Sequence, residues 1–344
     1  MNKKEIKNLW NTCFGDGDPF LSWYFDNVFN ERNTLYKNGS SMQFIEYEAV
    51  VRGERIILPY ILGVMTAPEM RGRGQITGLF REMLPLLYER GYAACLLVPF
   101  DFDFYRRYGF AGISEYEEYS GDREDLSCRG RAGMAVDVRN QGGGEGFDYD
   151  LLTRIYARFT EGMDGYIPRD ETVTRHFLEI FGKEGGKCLI FRGSGYALYE
   201  ETGDEVRVIE FCANLRETAE ELLAAVYRLG RARWSIRAPA GRLNGILRMD
   251  GKVKPHVMGR IINVSKIVEK LTGVFEIEVR DEFIPRNNGV FKSGNNPRGG
   301  GRRSVNIGEL SELYFRGGDN PRGGDNPHGG ESAAKNFFNL LGWE

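Results

Sequence analysis

The sequence predicts an α/β protein in which one arrangement of helices and strands occurs twice. In the first half, two strand-like apolar runs at 60–66 and 93–98 flank a helix pattern at 76–87. The glycine-rich segment 141–146 has the composition of a linker. Beyond it, helices, strands and a helix between two late strands follow in the same order. We therefore expect an internal duplication that has diverged in sequence.

Length and composition exclude several classes of protein. The chain has 344 residues, 41% of them hydrophobic, which suits two or three domains with their own cores. Its formal net charge of −3 gives no overall basic field to attract nucleic acid or anionic lipid. No signal peptide and no stretch of membrane-spanning length is recognisable, so we expect a cytoplasmic protein. The scattered cysteines and scarce histidines predict reduced thiols and no metal site.

The first portion begins with two helices and continues as a sheet. Apolar residues at helical spacing over 6–13 predict the first helix. Asp18-Pro19 supplies a cap and a first-turn proline for the second helix at 20–28. Strand patterns on either side of a turn within 42–58 predict a hairpin. The run 60–66 is apolar throughout, as expected for a central strand covered on both faces.

Weaker patterns of the same kind follow the linker. Helices are predicted around 151–159, 174–181 and 219–229, and strands at 187–192, 196–200, 206–212 and 233–236. A further unit begins near residue 255, with a predicted helix at 264–271 and strands at 274–279 and 289–292. The expected domains are residues 1–140, 147–253 and 254–344.

A heptapeptide of the form Gly-Asx-Asn-Pro-basic-Gly-Gly occurs in the last portion, starting at Gly294, Gly318 and Gly324. Glycine and Asn-Pro at this density disfavour both helix and sheet, so these segments are predicted to be surface loops. The arginine-rich stretch 297–303 is similar to Arg-Gly segments that bind RNA. The acidic net balance and the lack of aromatic residues in these loops argue against that function.

A glycine- and arginine-rich turn at 71–74 lies between a buried strand and an amphipathic helix. Such a turn leaves backbone N–H groups free at the helix N-terminus, where the helix dipole favours anions, and its glycines permit close approach of a pyrophosphate. The turn lacks the G-x-G-x-x-G order of dinucleotide folds and the Gly-Lys-Ser/Thr of a P-loop. Taken alone, it is also compatible with a solvated basic loop.

A second motif follows the next strand, where residues 104–110 read F-Y-R-R-Y-G-F. Together the two motifs resemble the GNAT acetyltransferase family, in which R-x-x-G-x-[G/A] opens the cofactor helix and F-Y-x-x-x-G-F follows the next strand. Arg71 and Gly74 match the first motif. Ile76 departs from the small residue usual at its end, and this departure is similar to the Eis (enhanced intracellular survival) branch of the family.

The resemblance implies a duplicated GNAT fold, in which a central mixed sheet carries helices on both faces, followed by an α+β domain like sterol carrier proteins. The first domain would be active. The second would be silent toward coenzyme A, because the segment 210–216 that replaces the cofactor turn contains no glycine. Acetyl-coenzyme A would be the co-substrate. Its predicted contacts are Val64, Met65, Thr66, Arg71, Gly72, Arg73, Gly74, Gln75, Ile76 and Thr77.

The resemblance also implies that Tyr105 is the general acid of acetyl transfer. The leaving thiolate has a pKa near 8.5 and tyrosine one near 10, so full proton transfer is uphill by about 2 kcal/mol. A hydrogen bond to the developing charge still helps. Backbone N–H groups of 64–66 are expected to polarise the thioester carbonyl. For Tyr108, packing under the cofactor helix is the alternative to a catalytic role.

In Eis-type enzymes the base is the C-terminal carboxylate, which here belongs to Glu344. The alternative for this residue is a frayed terminus. Asp101 and Asp103 either add negative potential for a polycationic acceptor or are solvated turn residues.

The resemblance points to a small-molecule amine acceptor, with aminoglycosides or other polyamines as the leading class. It also implies a homo-oligomer, either a trimer or a hexamer, without nucleic-acid or membrane partners. Two other functions remain open from the residues: a scaffold that binds acetyl-coenzyme A or lipid without turnover, and RNA binding through the Arg-Gly loops.

Overall fold

The computed structural model describes residues 3–125, 137–139, 148–239, 241, 243, 246–247, 249–271, 276–292 and 302–316. The glycine-rich linker, the three heptapeptides and the C-terminal residues from 317 onward lie outside the described residues. The chain divides into two compact units. Among the described residues, the first unit takes in those up to Ser114 together with those between Pro255 and Arg316, and the second takes in those between Glu115 and Lys254.

The N-terminal part of the first unit has the predicted order of two helices, a meander of strands and a crossover helix. Its elements are α1 (Lys3–Phe14), α2 (Phe20–Asn27), β1 (Thr34–Lys37), β2 (Ser40–Val51), β3 (Glu54–Thr66), α3 (Gln75–Glu89), β4 (Ala94–Leu97), α4 (Phe102–Arg106) and β5 (Ala111–Gly112). Strands β1, β2 and β3 are antiparallel neighbours, and β4 is parallel to β3. Helix α3 makes the crossover that a parallel pair requires.

The core of this unit lies between the sheet and α3. The helix buries Leu79, Phe80, Met83, Leu84 and Leu87, which recur at the helical spacing that predicted it. They pack with sheet residues such as Phe44 and Ile61. Burying one such side chain contributes about 1.5–3 kcal/mol, so this face is enough to hold the helix on the sheet.

The second unit repeats this plan. Its elements are β6 (Glu115–Asp122), β7 (Asp137–Arg139), α5 (Tyr149–Phe159), α6 (Glu171–Lys183), β8 (Lys187–Phe191), β9 (Gly195–Thr202), β10 (Glu205–Ala213), α7 (Arg216–Arg228), β11 (Arg233–Pro239) and β12 (Lys252–Pro255). Its seven-stranded sheet has the order β12-β6-β11-β10-β9-β8-β7. Strands β8, β9 and β10 form an antiparallel meander, and α7 crosses over to β11, which is parallel to β10. The predicted duplication of an α/β fold is confirmed.

The chain then returns to the first unit. The returning elements are β13 (Met258–Ile261), β14 (Glu276–Arg280), β15 (Gly289–Lys292), β16 (Arg302–Asn306) and α8 (Ile307–Arg316). Strand β13 lies between β4 and β5, which gives the first sheet the order β1-β2-β3-β4-β13-β5. A separate sheet of three strands has the order β15-β14-β16.

The sequence predicted a separate third domain at 254–344, whereas the structure groups the described part of that region with the first unit. The reason is that β13 pairs with β4 on one side and with β5 on the other. A sterol-carrier-like fold for the last strands stays a prediction. The helix expected at 264–271 is instead two short 3-10 turns, Val264–Lys266 and Val268–Lys270, in a stretch rich in β-branched residues that lower helix propensity.

None of the helices in the described part of the chain combines the length and apolarity needed to cross a bilayer.

Candidate active site

The two central strands of the first sheet, β3 and β4, separate from each other. Tyr60 pairs with Leu96, and within the described chain β3 has no further register partner on β4. The register between β2 and β3 shifts between Leu62 and Met65, where Gly63 has a positive φ of 57°. A β-bulge of this kind bends the strand that contains it. The backbone edge of 64–66 on the side of β4 therefore has no strand partner among the described residues, and we call this opening the cleft.

Gly63 is required at the bulge for space as well as for conformation. A Cβ there would lie 2.9 Å from the ring of Trp10 and 3.0 Å from Nε2 of Gln43. Gln43 is 1% exposed, and its Oε1 accepts a hydrogen bond of 2.9 Å from the hydroxyl of Tyr24. Among the described residues no group accepts from its Nε2. Sequence reasoning missed this buried amide, although a glutamine between Met42 and Phe44 in an apolar strand was a signal.

The turn 67–74 leads from the cleft to α3. Gly72 and Gly74 have φ values of 75° and 73°, which favour glycine, and a Cβ on either would meet nothing within 4 Å. Gly74 is the N-cap of α3, so the N–H groups of the first helical turn, 75–77, have no acceptor one turn earlier within the helix. The turn therefore presents free donors toward open space.

The two arginines of the turn are exposed, and they are held differently. Nε of Arg71 donates to the carbonyl of Thr66 at 3.2 Å, which ties this side chain to the end of β3. Arg73 has no polar partner within the described residues. Exposed guanidinium groups beside glycines and a helix N-terminus suit the pyrophosphate of coenzyme A, so the predicted contacts 71–76 fit that group chemically.

Thr77 differs from the other predicted contacts, because its hydroxyl is already bonded. Its Oγ1 lies 3.0 Å from the hydroxyl of Tyr108, and either atom can be the donor. The Thr77 side chain is thus held by Tyr108, while its backbone N–H has no acceptor within the helix. The same contact brings the start of α3 beside the segment that contains Tyr105.

Tyr105 lies on α4 and is 3% exposed. The rings of Phe80, Phe100 and Phe104 surround it with centroid distances of 5.1–6.2 Å. Burial, and to a smaller extent Tyr108, raises the pKa of Tyr105 well above its ordinary value near 10. The hydroxyl is therefore protonated at neutral pH and carries a proton that it can donate to a hydrogen bond.

Tyr108 packs beneath α3, as the alternative interpretation predicted. Its ring stacks on Phe80 with a centroid distance of 4.2 Å, and Phe283 contacts it edge-on at 5.6 Å.

The carboxylates of Asp101 and Asp103 are engaged locally. Oδ1 of Asp101 accepts from the backbone N–H groups of Asp103 and Phe104 at 2.8 and 3.1 Å, so it caps α4. Asp103 forms an ion pair with Arg106. These contacts favour the turn-residue interpretation of both carboxylates over a role in attracting the acceptor.

The second unit lacks the equivalent of the turn. Only Asn214 and Leu215 separate β10 from α7. Where the register of β10 shifts, Glu210 is 5% exposed and forms a two-pronged ion pair of 2.8 and 2.6 Å with buried Arg169. An ion pair and a short connection therefore occupy the position at which the first unit has its bulge and its turn rich in glycine and arginine. Glu344, the predicted base, lies outside the described residues.

Comparisons with known proteins agree with this description. Residues 2–113 match the family model for the acetyltransferase (GNAT) domain. No curated protein is similar enough in sequence to match the chain.

Three solved structures share the fold over most of the chain. A conserved protein of Enterococcus faecalis V583, described as a probable N-acyltransferase, is 19% identical with a TM-score of 0.74, over 91% of this chain and 87% of its own. A GCN5-related N-acetyltransferase from Kribbella flavida is 18% identical with a TM-score of 0.70, over 92% and 87%. Eis1 from Mycobacterium abscessus is 16% identical with a TM-score of 0.66, over the same shares. Likeness at this identity shows the fold.

Proposed function

We propose that the chain acetylates a primary amine, on the premise that residues 2–113 are a GNAT acetyltransferase domain. This premise makes the chain an acyl-coenzyme-A-dependent N-acetyltransferase. The observation that carries this proposal is the hydrogen bond between Thr77 and Tyr108. It supports the proposal because it joins the start of α3, the proposed pyrophosphate site, to the segment that contains Tyr105, the proposed acid. An aminoglycoside or another polyamine is the proposed acceptor, on the strength of the Eis resemblance.

Each part of the substrate is assigned to a group of the first unit. The turn at Arg71 and Arg73, with the N–H groups that begin α3, binds the pyrophosphate of acetyl-coenzyme A. The pantetheine arm lies along the free edge of 64–66 in the cleft, as an added strand would. An N–H of this edge polarises the thioester carbonyl and stabilises the oxyanion that forms there.

The reaction is a direct attack of the neutral amine on the thioester carbonyl. The new C–N bond forms, the C–S bond breaks, and the amine loses a proton to a base. Tyr105 donates a hydrogen bond to the sulfur as charge develops on it. Because burial raises the pKa of Tyr105, the phenol stabilises the thiolate mainly by that hydrogen bond.

The proposed base is the terminal carboxylate of Glu344. An α-carboxylate has a pKa near 3.5, so at neutral pH it is always able to accept a proton. An aliphatic amine with a pKa of about 10.4 is neutral in only about one molecule in a thousand at pH 7, so a base beside it is valuable.

The experiment that tests the proposal is thiol release from acetyl-coenzyme A with a panel of aminoglycosides, polyamines and lysine peptides. Tyr105→Phe should lower kcat by about 10²–10⁴-fold with little change in affinity for acetyl-coenzyme A. Tyr108→Phe is the matched control. It removes only the bond to Thr77, which costs about 1 kcal/mol of stability, and should keep most of the turnover.

Release of thiol with none of the amines would contradict the acceptor class. Near-normal turnover of Tyr105→Phe would remove Tyr105 from its role.

A further inference from the structure

A fully buried arginine lies next to the Tyr105 segment. Arg260 is in the middle of β13, and its side chain is 0% exposed. Burial of a guanidinium is costly unless its charge and its N–H groups are matched. Here Nε, Nη1 and Nη2 of Arg260 each donate a hydrogen bond. Nε donates to the carbonyl of Tyr108 at 2.7 Å, Nη1 to the carbonyl of Ile261 at 2.8 Å, and Nη2 to Oδ1 of Asp281 at 2.6 Å.

Asp281 is itself fixed in place, so it is a rigid partner for the arginine. Its Oδ1 also accepts from the N–H groups of Phe283 and Ile284 at 3.0 and 3.1 Å, and its Oδ2 accepts from Nδ2 of Asn287 at 2.9 Å. Both charged side chains of the pair are 0% exposed. One end of the guanidinium is thus anchored by the turn 281–287, and the other end reaches the Tyr108 carbonyl.

The Tyr108 carbonyl belongs to the tight turn that follows α4. Within this turn the carbonyl of Tyr105 accepts from the N–H groups of Tyr108 and Phe110 at 3.0 and 3.4 Å. Gly109 has a φ of 81°, and a Cβ on it would lie 2.4 Å from Ile307 and 3.1 Å from Nε of Arg260. A displacement of the Tyr108 carbonyl therefore moves the backbone of Tyr105.

We propose that Arg260 is a positioning residue for Tyr105: it holds the turn after α4 and thereby sets where the Tyr105 hydroxyl lies relative to the thiol of coenzyme A. This proposal rests on the function proposed above. An arginine suits the task because its planar fork fixes three acceptors at once, whereas a lysine would present one point charge on a flexible stem.

The test is the kinetics of Arg260→Lys in the full chain. A misplacement of a catalytic group by about 1 Å costs on the order of 10²-fold, so we expect kcat to fall about 10- to 100-fold. The KM for acetyl-coenzyme A should stay near its original value. Ser311→Ala is the matched control, because Ser311 Oγ accepts from the N–H of Ile261 at 2.9 Å on the same strand without touching the turn. This variant should lower Tm but not kcat.

The double variant Arg260→Lys with Tyr105→Phe separates positioning from a merely structural role. If Arg260 acts through Tyr105, the double variant should be no slower than Tyr105→Phe alone. A folded Arg260→Lys protein with unchanged kcat, or a double variant in which the two losses multiply, would overturn the proposal. Full turnover of Tyr105→Phe alone would remove Tyr105 from its role and this proposal with it, whereas the proposed function fails separately if none of the amines gives thiol release. If Arg260→Lys does not fold, Asp281→Asn, which loosens the other end of the guanidinium, is judged by the same criteria.

Discussion

Arg71 and Arg73 flank the same glycine, but their side chains are held differently. The bond from Arg71 to the Thr66 carbonyl orients its guanidinium before any ligand arrives, whereas Arg73 must be ordered by the ligand. Ordering a long side chain costs conformational entropy, up to about 2 kcal/mol. A contact made by Arg71 is therefore expected to contribute more net affinity than the same contact made by Arg73.

The first prediction is that replacing both arginines by alanine weakens binding of acetyl-coenzyme A, because each lost charge-assisted contact costs about 1.5–3 kcal/mol. Arg71→Ala alone should weaken binding of acetyl-coenzyme A more than Arg73→Ala alone. Calorimetry measures the affinities. Arg81→Ala is the control, since Arg81 lies on the same helix in an exposed ion pair with Glu282 and should leave the affinity unchanged. Equal affinities of the folded double variant and the original protein would remove the turn from the binding site.

Residues of the site were predictable to different degrees. The glycine and arginine turn and Tyr105 could be proposed from the sequence because they form compact local motifs. Gln43 and Arg260 were not, because a polar residue in a short apolar stretch gives no sign of its partner. Arginine is mostly exposed in proteins, so burial of Arg260 follows only from the pairing of β13 and the position of Asp281, which no local pattern contains.

At the scale of elements, β13, the strand between β4 and β5, has the largest consequence for the stability of the first sheet. Residues 2–113 match the family model, yet β13 comes from residues 258–261. Met258, Ile261 and Ile262 are all 0% exposed, and burial of each contributes about 1.5–3 kcal/mol. Together with the backbone bonds of β13, this is comparable to the whole net stability of a domain, about 5–15 kcal/mol.

The second prediction follows from that comparison. A fragment of residues 1–114 should lack a cooperative thermal unfolding transition by circular dichroism, whereas a chain ending at residue 316 should retain one. The longer chain is the control because it keeps β13 and α8. A cooperative transition of the short fragment near the Tm of the full chain would show that β13 is dispensable.

Elements with strong local patterns were predictable, and those defined by distant pairing were not. The run 60–66 and the helix pattern at 76–87 correspond to the end of β3 and to α3, because burial on fixed faces leaves a periodic trace in the sequence. Four-residue β13 has no such trace. Its placement in the first sheet depends on pairing with β4 and β5, which lie more than a hundred residues away in the chain.

At the scale of the whole molecule, each of the two larger sheets pairs the strand after its crossover helix with a strand that is not its neighbour in the sequence. Beside β11 in the second sheet lies β6, which precedes the second set of helices. Beside β4 in the first sheet lies β13, which follows the second repeat. A catalytic base at residue 344 would extend the same principle, because the first unit would depend on the last residue of the chain.

The third prediction concerns that base. Glycines appended after Glu344 would move the terminal carboxylate away while keeping every side chain. We expect turnover to fall by about 10²-fold or more, while affinity for acetyl-coenzyme A is kept. Glu344→Gln removes only the side-chain carboxylate and is the control. It should lower turnover much less than the appended glycines do. Normal turnover of the extended chain would rule out the terminus as the base.

The position of β13 in the sequence also determines when, during synthesis, β4 gains its neighbouring strand. A ribosome adds about 5–20 residues per second, so the roughly 160 residues between Leu97 and Met258 take about 8–30 s to appear. During that interval β4 has been made but its neighbour has not, and an unpaired strand edge is a template for pairing with other chains. This edge of β4 is therefore open to other chains until β13 is made, and the acetyltransferase unit is completed only after the second unit has been synthesised.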